Sequence, residues 1–286
     1  MPAAVIGNGV DGDQDMSSIS TTMSIHPALK AAARAWPAIQ SPAVVVPTYN
    51  EVENIARLVP ELLSLPAALR VIIVDDASPD GTGALAEQLA CDFPGRVVDI
   101  HRSGKLGLGT AYLAGFQRAS ELGADCMLTM DADFSHHPRH IGAMLAMLAA
   151  ADLVIGSRYV PGGRAVDSPP ARRLLSWIAN SATRNTLGLR AHDVTAGFRA
   201  YRRELLLALP LDQIFSSGYS FLIETLYLVE QGGWQVAEVP IQFYDRTAGT
   251  SKISRREIAK AMYTVGRLAG RRLRAKSPVA VSPAVL

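Results

Sequence analysis

The stretch AVVVPTYNEVENIARLVPELLSLPAALRVIIVDD, residues 43–76, decides the fold. It opens on a short apolar run, AVVV (43–46), and closes on another, RVIIVDD (70–76). Between them VENIARLVPELLS spaces its apolar side chains as one face of a helix. Nearly uninterrupted apolar runs separated by amphipathic helices mark parallel strands buried on both faces. The alternation continues: VVDIH (97–101), ADCMLTMD (124–131) and ADLVIGS (151–157) read as strands, and TGALAEQLACDF, LGTAYLAGFQRASELG and PRHIGAMLAMLAA as helices. The expected class is α/β, a mostly parallel central sheet with helices on both faces. After Gly156 the texture changes to a basic loop, GSRYVPGGR, an apolar and basic stretch, RRLLSWIANSATRNTLGLR, then DVTAGFRAYRR, a helix, YSFLIETLYLVEQ, and a strand, QVAEVPIQF. This half should cover the carboxyl edge of the sheet, where such sheets bind ligands, and supply a second substrate site.

Composition narrows the possibilities. The chain has 286 residues, 49% hydrophobic and 19% charged, enough apolar material for a large core and too much for wholesale disorder. A net charge of +2 argues against a polybasic nucleic-acid binder, so no nucleic-acid partner is expected. Two cysteines, Cys91 and Cys126, exclude a disulfide scaffold and a Cys-rich zinc module; both read as core residues in a reduced compartment. The most apolar segment, IGAMLAMLAAADLVIG, meets Asp152 before reaching the ~18–20 residues of a membrane span. No basic segment followed by an apolar one opens the chain, so neither spanning nor secretion is expected, while lying on a membrane surface is allowed. Residues 1–40 read as a flexible arm, 41–250 as the main domain, 251–276 as a basic amphipathic helix and 277–286 as a Pro-interrupted tail.

The early strands each end in polar chemistry. AVVV runs into PTYNE, RVIIV into DDASPDG and CMLTM into DADFSHH. Asp131 and Asp133 flank Ala132, and in an extended segment residues i and i+2 point the same way. Two such carboxylates repel unless a hard divalent cation lies between them. Two solvated surface aspartates would carry the same spacing. The second acidic pair, Asp75 and Asp76, at a neighbouring strand tip favours a shared crevice. His136 and His137 lack a zinc spacing and read as the loop leading into a helix at Pro138. GKLGLG (104–109) lacks the dinucleotide spacing and reads as close backbone packing or a flap.

VVVPTYNE (44–51), VDDASPDG (74–81), MDADFSHHP (130–138), GSRYVPGG (156–163), DVTAGFRAYRR (193–203) and GYSFLIETLY (218–227) together resemble polyprenol-monophosphate mannose synthases of the dolichol-phosphate type. These are inverting family-2 glycosyltransferases of GT-A fold, and the resemblance covers about residues 43–260. It implies transfer of mannose from GDP-mannose to a polyprenyl monophosphate, with Mg²⁺ or Mn²⁺, giving polyprenyl-phosphate mannose and GDP. It also implies a peripheral place on the cytoplasmic face of a membrane, with or without a separate anchoring subunit. Carried over to this chain, Pro47, Tyr49 and Glu51 line the nucleotide pocket, with Tyr49 as an aromatic wall, and Asp76 bonds the nucleoside. Asp131 and Asp133 hold the cation on the diphosphate, with Ala132 between them at the nucleotide sugar. Ser135 stands where some relatives place a metal-binding Gln. Arg158 and Arg199 are the phosphate clamps, because guanidinium forks match phosphate oxygens. Arg158 serves the acceptor, helped by Arg172 or Arg173, and Arg199 the donor. Lys252 closes over the diphosphate. Glu224 and Asp193 are accessory carboxylates, or Asp193 orients Arg199. No general base is assigned: a phosphate monoester with a second pKa of ~6 is already largely dianionic at neutral pH.

A lipid acceptor asks for a membrane contact. On a wheel of RREIAKAMYTVGRLAGRRLR, Ile258, Met262, Val265, Ala269 and Leu273 form one stripe, with Arg256, Lys260, Arg267, Arg271 and Arg274 opposite. That division suits a helix in the headgroup plane, against the plainer reading of a core-packed helix with a solvated basic face. RRLLSWIANSA (172–182), around Trp177, is a second interface segment. Three rivals stand beside this reading. One is a family-2 enzyme moving another sugar, such as glucose from UDP-glucose, to the same acceptor class. A nucleotidyltransferase would need an early Gly-rich phosphate loop, which PTYNE does not offer. A non-catalytic membrane-surface accessory protein is disfavoured by the intact Asp131, Asp133, Arg158 and Arg199.

Overall fold

The computed structural model describes residues 36–166, 168–244 and 255–276, without the side chains of Arg255 and of 274–276. In chain order the elements are β1 (Pro42–Thr48), α1 (Val52–Ser64), β2 (Arg70–Asp75), α2 (Thr82–Asp92), β3 (Val97–His101), α3 (Leu108–Glu121) and β4 (Cys126–Thr129). A 3₁₀ turn, Pro138–His140, then leads into α4 (Ile141–Met147). Next come β5 (Leu153–Ser157), β6 (Arg164–Val166), α5 (Pro170–Leu187), β7 (Arg199–Arg202), α6 (Arg203–Ala208), α7 (Ser220–Gln231), β8 (Val236–Pro240), β9 (Gln242–Tyr244) and α8 (Arg255–Lys276).

Seven strands form one sheet in the order β3-β2-β1-β4-β7-β5-β8, and β6 pairs with β9 in a small second sheet. Along β1 the side chains alternate between two cores. Ala43 and Val45 join the cluster that includes α3, α7 and Leu268 of α8. Val44 and Val46 join the cluster with α1, α2 and α4. All four are fully buried, which is why β1 reads as an unbroken apolar run rather than an alternating one. Helix α3 lies close against β1 because Gly115 has no side chain: a methyl there would overlap Val45.

The sheet is mostly parallel, as expected, but β7 runs antiparallel to both β4 and β5 and was not foreseen. Its sequence, RAYR, looks like surface. Yet Arg199 and Arg202 are both buried and satisfied by main-chain oxygens: Ala196, Val194 and Leu222 for Arg199, Leu148 and Pro37 for Arg202. Trp36 lies 4.8 Å over the Arg202 guanidinium, so the last residues before β1 are fastened to β7. The rest of the expected arm, and the tail at 277–286, lie outside the described residues.

Helix α8 packs on the core along one side and leaves apolar side chains exposed on another. Thr264 and Leu268 are buried and Ala261 and Val265 partly so, packed toward α5 and α7. Ile258, Met262 and Leu273 remain exposed. The core-facing side is therefore rotated from the expected apolar stripe, and much of that stripe is left uncovered. The basic face is engaged too: Arg267 and Arg271 lie 4.0 and 5.2 Å over the Phe215 ring, and Lys260 pairs with Glu257 at 2.8 Å. Among the described residues no helix is long and apolar enough to cross a membrane. Of the cysteines only Cys126 is buried; Cys91, on the outer side of α2, is exposed, a correction to its expected place in the core.

Candidate active site

Three neighbouring strands, β2, β1 and β4, end at one edge, and each is followed by a non-glycine residue in the left-handed region: Ala77 (φ 54°), Asn50 (φ 59°) and Phe134 (φ 59°). Such backbone costs energy and collects where side chains must be aimed at a ligand. The turns enclose a cleft of about 260 Å³. Pro47, Tyr49, Glu51, Asp76, Asp131, Ala132 and Asp133, all expected in the site, line it. So do Lys105, Gly107, Tyr219 and Glu257, which sequence reasoning missed. A larger hollow of about 400 Å³, lined by Pro42, Ala67, Leu145 and Arg202 among others, lies at the opposite end of β1 and holds none of the expected residues except the beginning of that strand.

The two acidic pairs divide their tasks. Asp75 is buried and structural: it accepts hydrogen bonds from the Thr48 hydroxyl (2.9 Å) and from Ser78, tying the tips of β1 and β2 together. Asp76 faces the cleft and is 2.6 Å from Nε of Arg102, whose Nη1 donates to Thr110 at the start of α3. Asp131 and Asp133 lie in a turn after β4 rather than in an extended segment, so they reach the cleft through the turn and not by strand alternation. Asp133 Oδ1 accepts the Ser135 amide at 3.1 Å. Lys105 extends over the opposite wall, its Nζ 4.0 Å from the centre of the Tyr49 ring. It is a cation in a cleft otherwise edged by carboxylates.

Behind Asp131 stands His136, buried, stacked on Phe198 (5.2 Å) and 4.0 Å from Asp131 Oδ2. Burial lowers its pKa against the pull of the two aspartates, which favours the neutral ring. His137 fits the expected loop, accepting the Arg139 amide (3.3 Å) as it opens the 3₁₀ turn.

Beyond His136, across the ring of Phe243, lies Arg158. Its Nε and Nη2 form a fork with Asp193, both at 2.8 Å, and Nη2 also donates to Thr195 (2.9 Å). Asp193 is fully buried. Burial pushes its pKa up, but the Arg158 charge and hydrogen bonds outweigh that and hold it lowered. Asp193 thus orients Arg158 rather than Arg199. Arg199 is a correction: its guanidinium is buried and bonded to carbonyl oxygens of the loop before β7 (Val194, Ala196) and of α7 (Leu222), leaving it no face toward a phosphate. Arg172 and Arg173 are exposed at the start of α5, outside the cleft. Glu224 is fully buried and accepts the Ser216 amide (2.9 Å), bracing the loop that brings Tyr219 to the cleft. Lys252 lies outside the described residues.

The oxygen donors suit a hard cation. Asp131 and Asp133 face the cleft together, and the Ser135 hydroxyl is buried with no hydrogen-bond partner among the described residues. No group of three or more His, Cys, Asp and Glu among the described residues could hold a metal by itself. Such a cation would take the remainder of its shell from water and substrate oxygens, as hard ions on few carboxylates do.

Sheet, switch-point cleft and paired carboxylates define a GT-A glycosyltransferase. Residues 43–209 match glycosyl transferase family 2, and the chain belongs to that family. It is 46% identical over 227 residues to the polyprenol monophosphomannose synthase of Mycolicibacterium smegmatis, covering 79% of this chain and 86% of that one. It is 43% identical over 223 residues to the undecaprenyl-phosphate mannosyltransferase of Micrococcus luteus, covering 78% and 91%. Among solved structures it resembles mannosyl-3-phosphoglycerate synthase from Rubrobacter xylanophilus, with a TM-score of 0.59 at 20% identity over 87% of this chain and 79% of that one. It also resembles glucosyl-3-phosphoglycerate synthase from Mycobacterium tuberculosis, solved with Mn²⁺, UDP and its product, with a TM-score of 0.55 at 21% identity over 84% and 82%. These two share the fold.

Proposed function

We propose that this enzyme moves mannose from GDP-mannose to a polyprenyl monophosphate at a membrane surface, with inversion at the anomeric carbon. The observation that carries the reading is one edge of the sheet holding a carboxylate-lined cleft and, reached from it across the rings of His136 and Phe243, a guanidinium. The two relatives above 40% identity, both named for mannosyl transfer or synthesis on a polyprenyl phosphate, support the sugar and the acceptor class.

Tyr49 and Asp76 hold the nucleoside, and Lys105 adds positive charge at the same wall. Asp131 and Asp133, with Ser135, would hold a divalent ion, Mg²⁺ or Mn²⁺. When bound, that ion supplies Lewis-acid stabilisation of the charge that grows on the leaving diphosphate. Arg158, fixed by Asp193, receives the acceptor phosphate through the guanidinium nitrogen that Asp193 and Thr195 leave open, with Arg172 and Arg173 drawing the headgroup in. The acceptor dianion needs no general base to attack. What the protein contributes is alignment of the two phosphates and charge neutralisation. The exposed apolar side chains of α5 and α8, flanked by arginines, rest on the bilayer, so the protein is peripheral. The catalytic domain is assigned to residues 41–250, and α8, which packs on it through Leu268 and reaches the cleft through Glu257, turns its exposed apolar side chains to the membrane.

The test is transfer of labelled mannose from GDP-mannose to polyprenyl phosphate in vesicles, with Mg²⁺, Mn²⁺ or EDTA, UDP-glucose as the competing donor, and Asp133→Ala as control. A mannolipid formed only with metal and lost in the control is expected. Transfer from UDP-glucose in preference to GDP-mannose would keep the fold and the cation site and overturn the donor.

A further inference from the structure

Helix α5 is built inside out. Leu174, Leu175, Trp177 and Ile178 point away from the protein, each about half exposed or more. The side that faces the protein carries Ser176 and, one turn later, Asn180, the latter buried. Both are polar where an ordinary surface helix would place its apolar stripe.

These two side chains hold the phosphate clamp. The Ser176 and Tyr159 hydroxyls share a hydrogen bond (2.9 Å), and Tyr159 is the residue after Arg158. The Asn180 amide donates to the His192 carbonyl and accepts the Val194 N–H (2.9 Å), so it grips the main chain on both sides of Asp193. One turn of helix, about 5.4 Å of rise, thus fastens both halves of the Arg158–Asp193 pair. The far side of the same loop is fixed to β8, where Glu238 accepts the His192 and Asp193 amides (2.8 and 2.9 Å).

We propose that Ser176 and Asn180 are positioning residues that lock the height of the Arg158 guanidinium to the lipid-facing surface of α5. This rests on the reading of Arg158 as the acceptor-phosphate clamp. The phosphate of a membrane-borne polyprenyl lipid sits at headgroup depth. A clamp held at fixed height above an apolar helix face meets a phosphate displayed at that depth, and the pair of bonds makes the enzyme selective for phosphate monoesters presented on a bilayer over the same group free in water.

The experiment uses the full chain with two acceptors: polyprenyl phosphate in phosphatidylcholine–phosphatidylglycerol vesicles and a short, water-soluble prenyl phosphate. Tyr159→Phe keeps the ring beside Arg158 and removes only the hydroxyl, so it isolates the bond without threatening the fold. Tyr159→Phe and Ser176→Ala should each raise KM for the vesicle acceptor about three- to tenfold, the change one ordinary hydrogen bond carries. KM for GDP-mannose and for the soluble acceptor should stay within about twofold. The double variant should be no worse than either single one, because the two changes delete the same bond. Ser176→Thr should restore the wild-type value. Asn180→Ala should show the larger loss, with the same split between acceptors. Equal losses for both acceptors, or none, would overturn the coupling. Arg158→Lys, run in parallel, should weaken both acceptors. If it weakens neither, the clamp reading itself fails and the coupling falls with it.

Discussion

Replacing Asp193 with Asn tests the electrostatic arrangement that fixes Arg158. The substitution keeps the shape and removes the charge. In the native protein Asp193 is fully buried and accepts from Arg158 Nε, Nη2 and backbone N, at 2.8, 2.8 and 3.1 Å. Removing one partner of a buried pair costs about 3–5 kcal/mol. The Arg158 side chain retains 16% exposure, and its bond to Thr195 survives, so the lower end applies, about 3 kcal/mol. At about 2–4 °C per kcal/mol for a domain of this size, Tm should fall by about 6–12 °C. The pH dependence has a definite sign. The folded carboxyl has a lowered pKa, so its contribution is complete above the unfolded value of about 3.9 and is lost as pH falls through the folded one. In urea titrations the gap between wild type and Asp193→Asn should be flat from about pH 7 to pH 5 and close only below about pH 4. A gap under about 1 kcal/mol at pH 7, the range of an exposed pair, would refute the reasoning. So would a gap that already closes between pH 7 and 5.

Four further outcomes follow from other parts of the molecule. Gly115→Ala should cost about 1–3 kcal/mol in urea unfolding because the new methyl overlaps Val45, and Val45→Ala should recover part of the loss in the double variant. Lys105→Ala should weaken GDP binding about five- to tenfold by calorimetry, as one charge-assisted contact is lost, while Tm holds because the side chain is exposed. Leu175→Ser with Trp177→Ser should reduce flotation with anionic vesicles yet change the unfolding midpoint by less than about 0.5 kcal/mol per site, since both residues are exposed. A thiol reagent should label Cys91 at once in the native protein and reach Cys126 only after unfolding, because burial both shields that thiol and raises its pKa.

What the sequence disclosed follows from how far each interaction reaches along the chain. Helix α1 was legible to the residue, Val52–Ser64, because Ile55, Leu58, Val59 and Leu62 recur at helical spacing and all four are buried. Most of the cleft was legible because its residues follow directly on apolar strands. By the same logic Lys105 was within reach: it lies just past the carboxyl end of β3, but its glycine-rich surroundings suggested packing instead. Gly109 shows that this was half right, since a methyl there would press on Phe221. Glu257 was hidden because it arrives at the cleft from the start of α8, far along the chain. Arg199 misled for a physical reason. An arginine inside an apolar segment looks like a ligand for phosphate, yet main-chain carbonyls of the loop before β7 and of α7 satisfy it equally well, and nothing local distinguishes the two. Strand β7 itself was invisible, because its burial comes from β4 and β5 on either side.

The antiparallel β7 also sets an order of assembly during synthesis. Every pairing among β1 to β4 is available once the chain has emerged as far as Thr129. The outer edge of β4, the apolar segment CMLT, then waits for β7, which ends at Arg202. At about 5–20 residues per second the ribosome leaves that edge bare for several seconds. A naked edge of this composition is a template for pairing with other nascent chains. Faster folding of the first half would lengthen the exposure rather than shorten it. Yield in the cell should therefore respond to chaperones that cover strand edges, and to the pace of translation between β4 and β7, more than to the stability of the finished sheet.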